Sequence, residues 1–208
     1  MPASHPKGKF GTKFQAPSVG TTVIPEPLNA LGDVAIFNKP ILTLFCSVRC
    51  PGSIILKICD CMKMLRGAGV TVISGFHSPV EKECLNILLR GSQPVIVCPA
   101  RSLEGMRVKT EYQKPLEEGR LLFLSPFSQG ENRASAGRAV RRNDFVAAVA
   151  DKVLVAYAHP GGSVERLCQK LSGGQTPLLV LDDMHNNHLR TLATGMVGPK
   201  TIMAATAL

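Results

Sequence analysis

The chain predicts an α/β fold: a single Rossmann-like, doubly wound, mainly parallel sheet with helices on both faces. Three observations predict it. Short, continuously apolar runs recur along the chain, and strands covered on both faces read this way. Between them lie segments with apolar residues three or four apart, the spacing of an amphipathic helix. Turns bearing glycine or proline separate the two kinds of segment. Such alternation over 208 residues is the pattern of a parallel sheet.

The elements follow in order. Residues 1–27 are rich in Pro, Gly, Lys, Ser and Thr, and Lys7, Lys9 and Lys13 carry the charge, so this stretch reads as an extended basic arm. Asn29 to Asn38 reads as a short helix or turn. Ile41 to Ser47 is the first strand of the alternation. Ser53 is the expected N-cap of the helix after it, whose Ile54, Ile55, Ile58, Met62 and Leu65 recur at helical spacing. Gly67 and Gly69 close that helix. Val70 to Ile73 is the second strand. Pro79 suits the first turn of a helix carrying Val80, Cys84, Ile87 and Leu88. Pro94 to Cys98 is the third strand. Glu111 to Glu118 reads as a short helix, Leu121 to Leu124 as the fourth strand and Ser125 to Arg133 as a polar loop. Ala134 to Ala150 is helical, Lys152 to Ala156 is the fifth strand, Ser163 to Leu171 a helix and Pro177 to Leu181 the sixth strand. The expected organisation is thus an arm over 1–27, one domain over 28–194 and a tail over 195–208.

Composition narrows the function. Hydrophobic residues make up 45% of the chain and aromatics only 5%, so the core is aliphatic. The formal net charge of +9 and pI near 9.4 favour partners that carry phosphate. Seven cysteines, mostly inside apolar runs, point to buried thiols in a reducing compartment, the cytoplasm. Cys46-x3-Cys50 and Cys59-x-Cys61 lack zinc spacing. Asp182, Asp183, His185 and His188 read as a polar loop, and no metal or other cofactor is expected. No apolar stretch approaches the roughly 18 residues of a membrane span.

Four segments carry candidate chemistry, three of them at turns where a parallel sheet places its ligands. Ser47-x-Arg49-x-Pro51-Gly52-Ser53 follows the first strand and offers hydroxyls, amides and one guanidinium. It matches neither a dinucleotide fingerprint nor a P-loop. Ser74-Gly75-Phe76-His77-Ser78 follows the second strand: Gly75 permits close backbone approach, and Phe76 or His77 offers a ring to a base. Arg141, Arg142 and Asn143 lie on the helix before the fifth strand, where the guanidinium fork matches phosphate oxygens. Pro160-Gly161-Gly162-Ser163 follows the fifth strand and opens a helix whose free N–H groups face an anion. Glu81 and Glu165 are the carboxylates of a weaker, catalytic reading.

These segments resemble the DNA-processing protein A (DprA/Smf) family, from about Leu31 to Asp182. Arg141-Arg142-Asn143-Asp144 followed by an apolar run ending at Asp151 is similar to that family's Arg-Asn-Arg run entering a Val-rich strand. Ser47-Val48-Arg49 resembles its Gly-Ser-Arg turn, Ser74-Gly75 the start of its Ser-Gly motif, and Gly162-Ser163 its Ser-Gly-Ser turn. Asp144 stands where the second Arg of Arg-Asn-Arg is expected, and Phe76-His77-Ser78 interrupts the Ser-Gly motif. The resemblance implies single-stranded DNA binding in a basic pocket without catalysis. It also implies a recombinase and a second copy of the chain as candidate partners. Pro160-Gly161-Gly162 is similar as well to the ligand turn of phosphoribohydrolases in the same superfamily. Hydrolysis of a nucleoside monophosphate is the alternative this implies, and a nucleotide-sensing module is a third.

Overall fold

Strand β3 (Ile41–Cys46) is buried at all six positions and lies near the middle of the sheet, as a continuously apolar run must. The computed structural model describes residues 12–14 and 28–207. Among them nine strands form one sheet. In chain order these are β1 (Thr12–Phe14), β2 (Leu28–Gly32), β3, β4 (Thr71–Ser74), β5 (Val95–Val97), β6 (Leu121–Ser125), β7 (Lys152–Tyr157), β8 (Leu178–Leu181) and β9 (Gly195–Val197). Their spatial order is β1-β2-β6-β5-β4-β3-β7-β8-β9. From β3 the chain moves outward through β4, β5 and β6, then returns to the other flank of β3 and moves outward again through β7, β8 and β9. All pairings from β6 to β9 are parallel, while β2 runs antiparallel to β6 and β1 antiparallel to β2.

The reversal between β3 and β7 is a topological switch point, where the loops beyond two neighbouring strands diverge and leave a crevice. Side chains alternate across it. Leu42, Leu44, Leu154 and Ala156 face one core with helices α1 (Gly52–Leu65), α2 (Pro79–Leu89), α3 (Thr110–Glu117) and α6 (Ile202–Thr206). Phe45, Val153 and Val155 face the other, with α4 (Ala136–Ala148) and α5 (Ser163–Leu171). The doubly wound, mainly parallel fold expected from the sequence is therefore present.

Several local expectations are corrected. Of Asn29 to Asn38, read as a short helix or turn, the first part belongs to strand Leu28–Gly32, and 3-10 helix begins only at Val34. Leu28, Ala30 and Leu31 are buried against the β6 edge, which is worth more than the weak strand propensity of Asn29 and Gly32. Helix α1 begins at Gly52 with Pro51 as its N-cap, so Ser53 lies inside the first turn. Gly195–Val197 adds a ninth strand and Ile202–Thr206 a helix where a tail was expected. The basic arm lies outside the described residues except at Thr12–Phe14, which pairs as an edge strand.

Candidate functional site

The loops beyond β3 and β7 are tied at their bases by one backbone hydrogen bond and one to the Ser47 hydroxyl. Ser47 N–H donates to Tyr157 O at 2.9 Å, and His159 N–H donates to Ser47 Oγ at 2.9 Å. Beside this junction lies a cleft of about 380 Å³. Ser47, Val48 and Arg49 wall it on one side, His77 and Ser78 at the start of α2 on another. Ala139, Arg142 and Asn143 from α4, and His159, Gly162 and Ser163 before and at the start of α5, complete it. Positions 139, 142 and 143 are three and four residues apart, so helical geometry puts them on one face.

Arg142 is the floor of the cleft. Its residue is 6% exposed, yet no carboxylate lies within ion-pair distance among the described residues. Its Nη1 donates to Cys98 O at 2.9 Å and its Nε to Asn143 Oδ1 at 2.7 Å. These two acceptors aim the guanidinium without neutralising it, and Nη2 has no hydrogen-bond partner among the described residues. A buried cation held only by neutral acceptors is costly on its own and is compensated when an anion arrives. The guanidinium lies directly against Gly75. A Cβ built there would stand 1.2 Å from Arg142 Nη1, so the close approach expected at Gly75 is made by the protein's own arginine.

The turn before α2 is closed by a carboxylate. Glu81 accepts Cys46 N–H at 3.1 Å with one oxygen, and His77 N–H at 2.9 Å and Ser78 N–H at 3.1 Å with the other. Ser78 Oγ in turn accepts Glu81 N–H at 3.1 Å, completing a capping box. Phe76, in this turn, has φ +45°, a left-handed conformation unusual for an aromatic residue. Its ring is buried in the core and is not offered to a ligand, whereas His77 is turned out into the cleft.

The turn before α5 is open by comparison. Gly162 is the N-cap and has no side chain to satisfy the first-turn N–H groups. Gly161 adopts φ +73°, and its N–H is taken by Glu165 Oε2 at 2.7 Å. Gly162 N–H is taken by His159 O at 2.8 Å. The donors left for a ligand are therefore those of the helix's own first turn, beginning at Ser163, rather than those of the two glycines.

Seven of the eleven residues expected to bind phosphate line one cleft, together with Glu81: Ser47, Arg49, His77, Arg142, Asn143, Gly162 and Ser163. Four others are placed differently. Arg141 points away from the cleft; its Nη1 lies 3.3 Å from Glu131 Oε1 and its guanidinium sits 5.2 Å above the Phe127 ring. Ser74 is fully buried, its Oγ accepting Phe76 N–H at 3.3 Å. Gly75 is covered by Arg142, and Gly161 is occupied as described. Neither carboxylate of the catalytic reading is free for a substrate: Glu81 holds three amides, and Glu165 holds Gly161 N–H and lies 3.6 Å from His188 Nε2. Asp144 is turned toward α5, where Lys170 Nζ lies 2.9 Å from its Oδ1, so its charge is not directed at the cleft. His159 was missed by sequence reasoning, although its place directly before Pro160-Gly161-Gly162 marks it as an edge residue.

The polar loop after β8 holds a separate cluster. Asp183 accepts from Lys57 Nζ at 2.9 Å, and His185 Nδ1 lies 2.7 Å from its other oxygen. Burial would raise this carboxyl, but hydrogen bonds from Lys57, His185 and Ser53 hold it well below the usual carboxylate range. The cluster ties α1 to the loop after β8. Asp182 pairs with Arg190. No helix among the described residues is long and apolar enough to cross a membrane.

Residues 17–180 match the family model of DNA recombination-mediator protein A. No curated protein sequence matches the chain. Among solved structures it is similar to DNA processing protein A from Helicobacter pylori, described for its single-stranded DNA binding mode. The TM-score is 0.78 at 18% identity over 96% of each chain. It is also similar to DNA processing protein A from Streptococcus pneumoniae, with TM-score 0.71 and 15% identity over 86% of this chain and 65% of that one. A weaker likeness, TM-score 0.53 at 12% identity over 80% of this chain and 94% of that one, links it to a molybdenum cofactor binding protein from Rippkaea orientalis. At these identities the likeness is one of fold.

Proposed function

The chain belongs to the DNA recombination-mediator protein A family, and from that premise we propose that its switch-point cleft binds the phosphate backbone of single-stranded DNA without cleaving it. The observation that carries this reading is Arg142: a guanidinium 6% exposed, aimed into the cleft and left without a carboxylate. Arg49 at the rim is a second cation, exposed and unpaired among the described residues. The uncapped first turn of α5 adds N–H donors and the positive end of a helix dipole. Single-stranded DNA is what the Helicobacter pylori relative is described as binding, and a net charge of +9 favours a polyanion. His77, His159 and Val48 stand around the cations and offer surface to a base. The engagement of Glu81 and Glu165 in backbone hydrogen bonds speaks for binding over hydrolysis. A recombinase that receives the DNA and the cytoplasm as the compartment complete the reading.

The test is a fluorescence titration with a labelled oligonucleotide over a series of salt concentrations. Arg142→Ala is expected to weaken binding about thirtyfold, the scale of a lost charge-assisted contact. It should also lower the salt slope by about 0.7, one single-strand phosphate contact. Equal affinity and slope for the two proteins would overturn the assignment. Preference for duplex or for a mononucleotide over the single strand would redirect it.

A further inference from the structure

On one side the cleft borders Cys98, whose carbonyl oxygen accepts from Arg142 Nη1 at 2.9 Å. The loop that Cys98 opens, between β5 and α3, carries Arg101 and then Arg107. The loop after β6 lies against it. Ser102 N–H donates to Glu131 O at 2.9 Å, Ser125 Oγ to Arg101 O at 2.8 Å and Gly130 N–H to Glu104 Oε2 at 3.3 Å, so the two loops are stitched into one surface. Leu103 and Met106 anchor that surface in the core. We propose that it carries the single strand onward from the cleft, the phosphates passing over Arg101, Arg107 and Arg133. The proposal rests on the single-stranded DNA reading of the cleft and gives the bound strand a direction across the sheet edge.

Charge decides the direction. Residues 98–109 and 126–135 hold Arg101, Arg107, Lys109 and Arg133 against two carboxylates, Glu104 and Glu131. Both carboxylates are spent elsewhere: Glu131 on Arg138 and Arg141 of α4 and on Ser128 N–H, Glu104 on Gly130 N–H. Lys109 pairs with Glu111. The guanidiniums of Arg101, Arg107 and Arg133 have neither a carboxylate within ion-pair distance nor a hydrogen bond among the described residues. Arg107 and Arg133 are exposed and Arg101 is half-buried. The opposite flank is balanced. Beyond β7 and β8, Asp182 pairs with Arg190 and Asp183 with Lys57, while Arg166 donates to Gly161 O next to Glu165. A polyanion leaving the cleft is therefore attracted over the loops after β5 and β6 and meets no net charge over those after β7 and β8. Because the stitched loops are held in place by their own hydrogen bonds, little is lost to ordering when the strand arrives.

The test titrates the full chain with two labelled oligothymidylates, of about 4 and about 16 nucleotides, the range over which single-strand site sizes fall. The short one is held by the cleft alone; the long one reaches the loops. The Arg101→Gln/Arg107→Gln double variant should bind the short strand within about twofold of the parent, since the two regions act independently. Its affinity for the long strand should fall about fivefold or more, and the salt slope for that strand should fall by about 1.4, two single-strand phosphate contacts. Arg107→Gln alone, at an exposed position that the fold does not need, should lower the long-strand slope by about 0.7. Arg190→Gln, on the balanced flank, should match the parent at both lengths. Unchanged binding of the long strand by the double variant overturns the path, and so does an equal loss at both lengths, which would assign the two arginines to the cleft itself. A loss in Arg190→Gln as large as in the double variant overturns the direction. Failure of the parent to bind either strand overturns the single-stranded DNA reading of the cleft; a parent that binds both upholds that reading and leaves the path to the variants.

Discussion

Helices α2 and α5 both begin at the cleft, and both carry a glutamate at the third helical position, yet they treat their first turns in opposite ways. Helix α2 starts on Ser78, whose hydroxyl takes Glu81 N–H, while Glu81 reaches back to three other amides. The N–H groups of Cys46, His77, Ser78 and Glu81 are all consumed by the protein. Helix α5 starts on Gly162, which offers no side chain, and Glu165 turns to Gly161 instead. The two turns look interchangeable as glycine- and serine-bearing phosphate sites in the sequence. One residue, serine against glycine at the N-cap, separates the sealed turn from the one left open to the cleft.

The comparison is broken or sharpened by substitution. The largest effect is expected at the sealed end. Glu81→Ala strands three amide N–H groups, of Cys46, His77 and Ser78, and should cost about 3 kcal/mol in a urea unfolding experiment, since each unpaired buried donor costs about 1 kcal/mol or more. A loss below about 0.5 kcal/mol would mean that the turn is held by something else. At the open end the balance reverses. Arg142→Ala, which removes a buried cation without a carboxylate partner, should leave the unfolding free energy in urea within about 1 kcal/mol of the parent while binding falls. Comparable losses of stability and affinity would show that the arginine is a structural strut.

Gly75→Ala tests the same cation from beneath. The new Cβ would stand 1.2 Å from Nη1, so the guanidinium must leave its seat. Oligonucleotide affinity should drop to within about threefold of the Arg142→Ala level, and the double variant should be no weaker than either single one. A purely additive double variant would separate the two positions.

Asp183, outside the cleft, gives a pH signature. Its folded-state carboxyl titrates below the unfolded value of about 3.9. The stability it contributes is complete above that value and is lost as pH falls through the lower, folded one. Unfolding free energy should therefore drop steeply below about pH 4, and Asp183→Asn should flatten that limb in an acid titration followed by circular dichroism. The smallest effect is expected at Arg141, which is exposed and occupied by Glu131 and Phe127. Arg141→Ala should change oligonucleotide affinity less than about threefold.

Much of the sheet was legible because buried parallel strands announce themselves as unbroken apolar runs, as Ile41–Cys46 and Leu178–Leu181 do. Strands β2 and β9 were not. Leu28–Gly32 carries Asn and Gly, and Gly195–Val197 is three residues long; both exist because a neighbouring strand offers a hydrogen-bonding edge. The cleft was legible in outline, since glycine turns at strand ends and clustered arginines are local signals. What stayed hidden was orientation. Arg141 and Arg142 are adjacent in sequence, and a helix turns about 100° between them, so one faces the cleft and the other Glu131. Choosing between them requires the phase of α4 against the sheet. The role of Glu81 was hidden for a similar reason: one of its donors, Cys46, belongs to the neighbouring strand, 35 residues away in the chain.

The seat of Arg142 on Gly75 carries a consequence for how this surface changes over generations. While the arginine lies there, position 75 is closed to every residue with a side chain, and a chain that loses the arginine no longer needs the glycine. The two positions, far apart in sequence and on different elements, form a single inherited character. Among descendants of this chain, arginine at 142 should therefore be found only where glycine stands at 75.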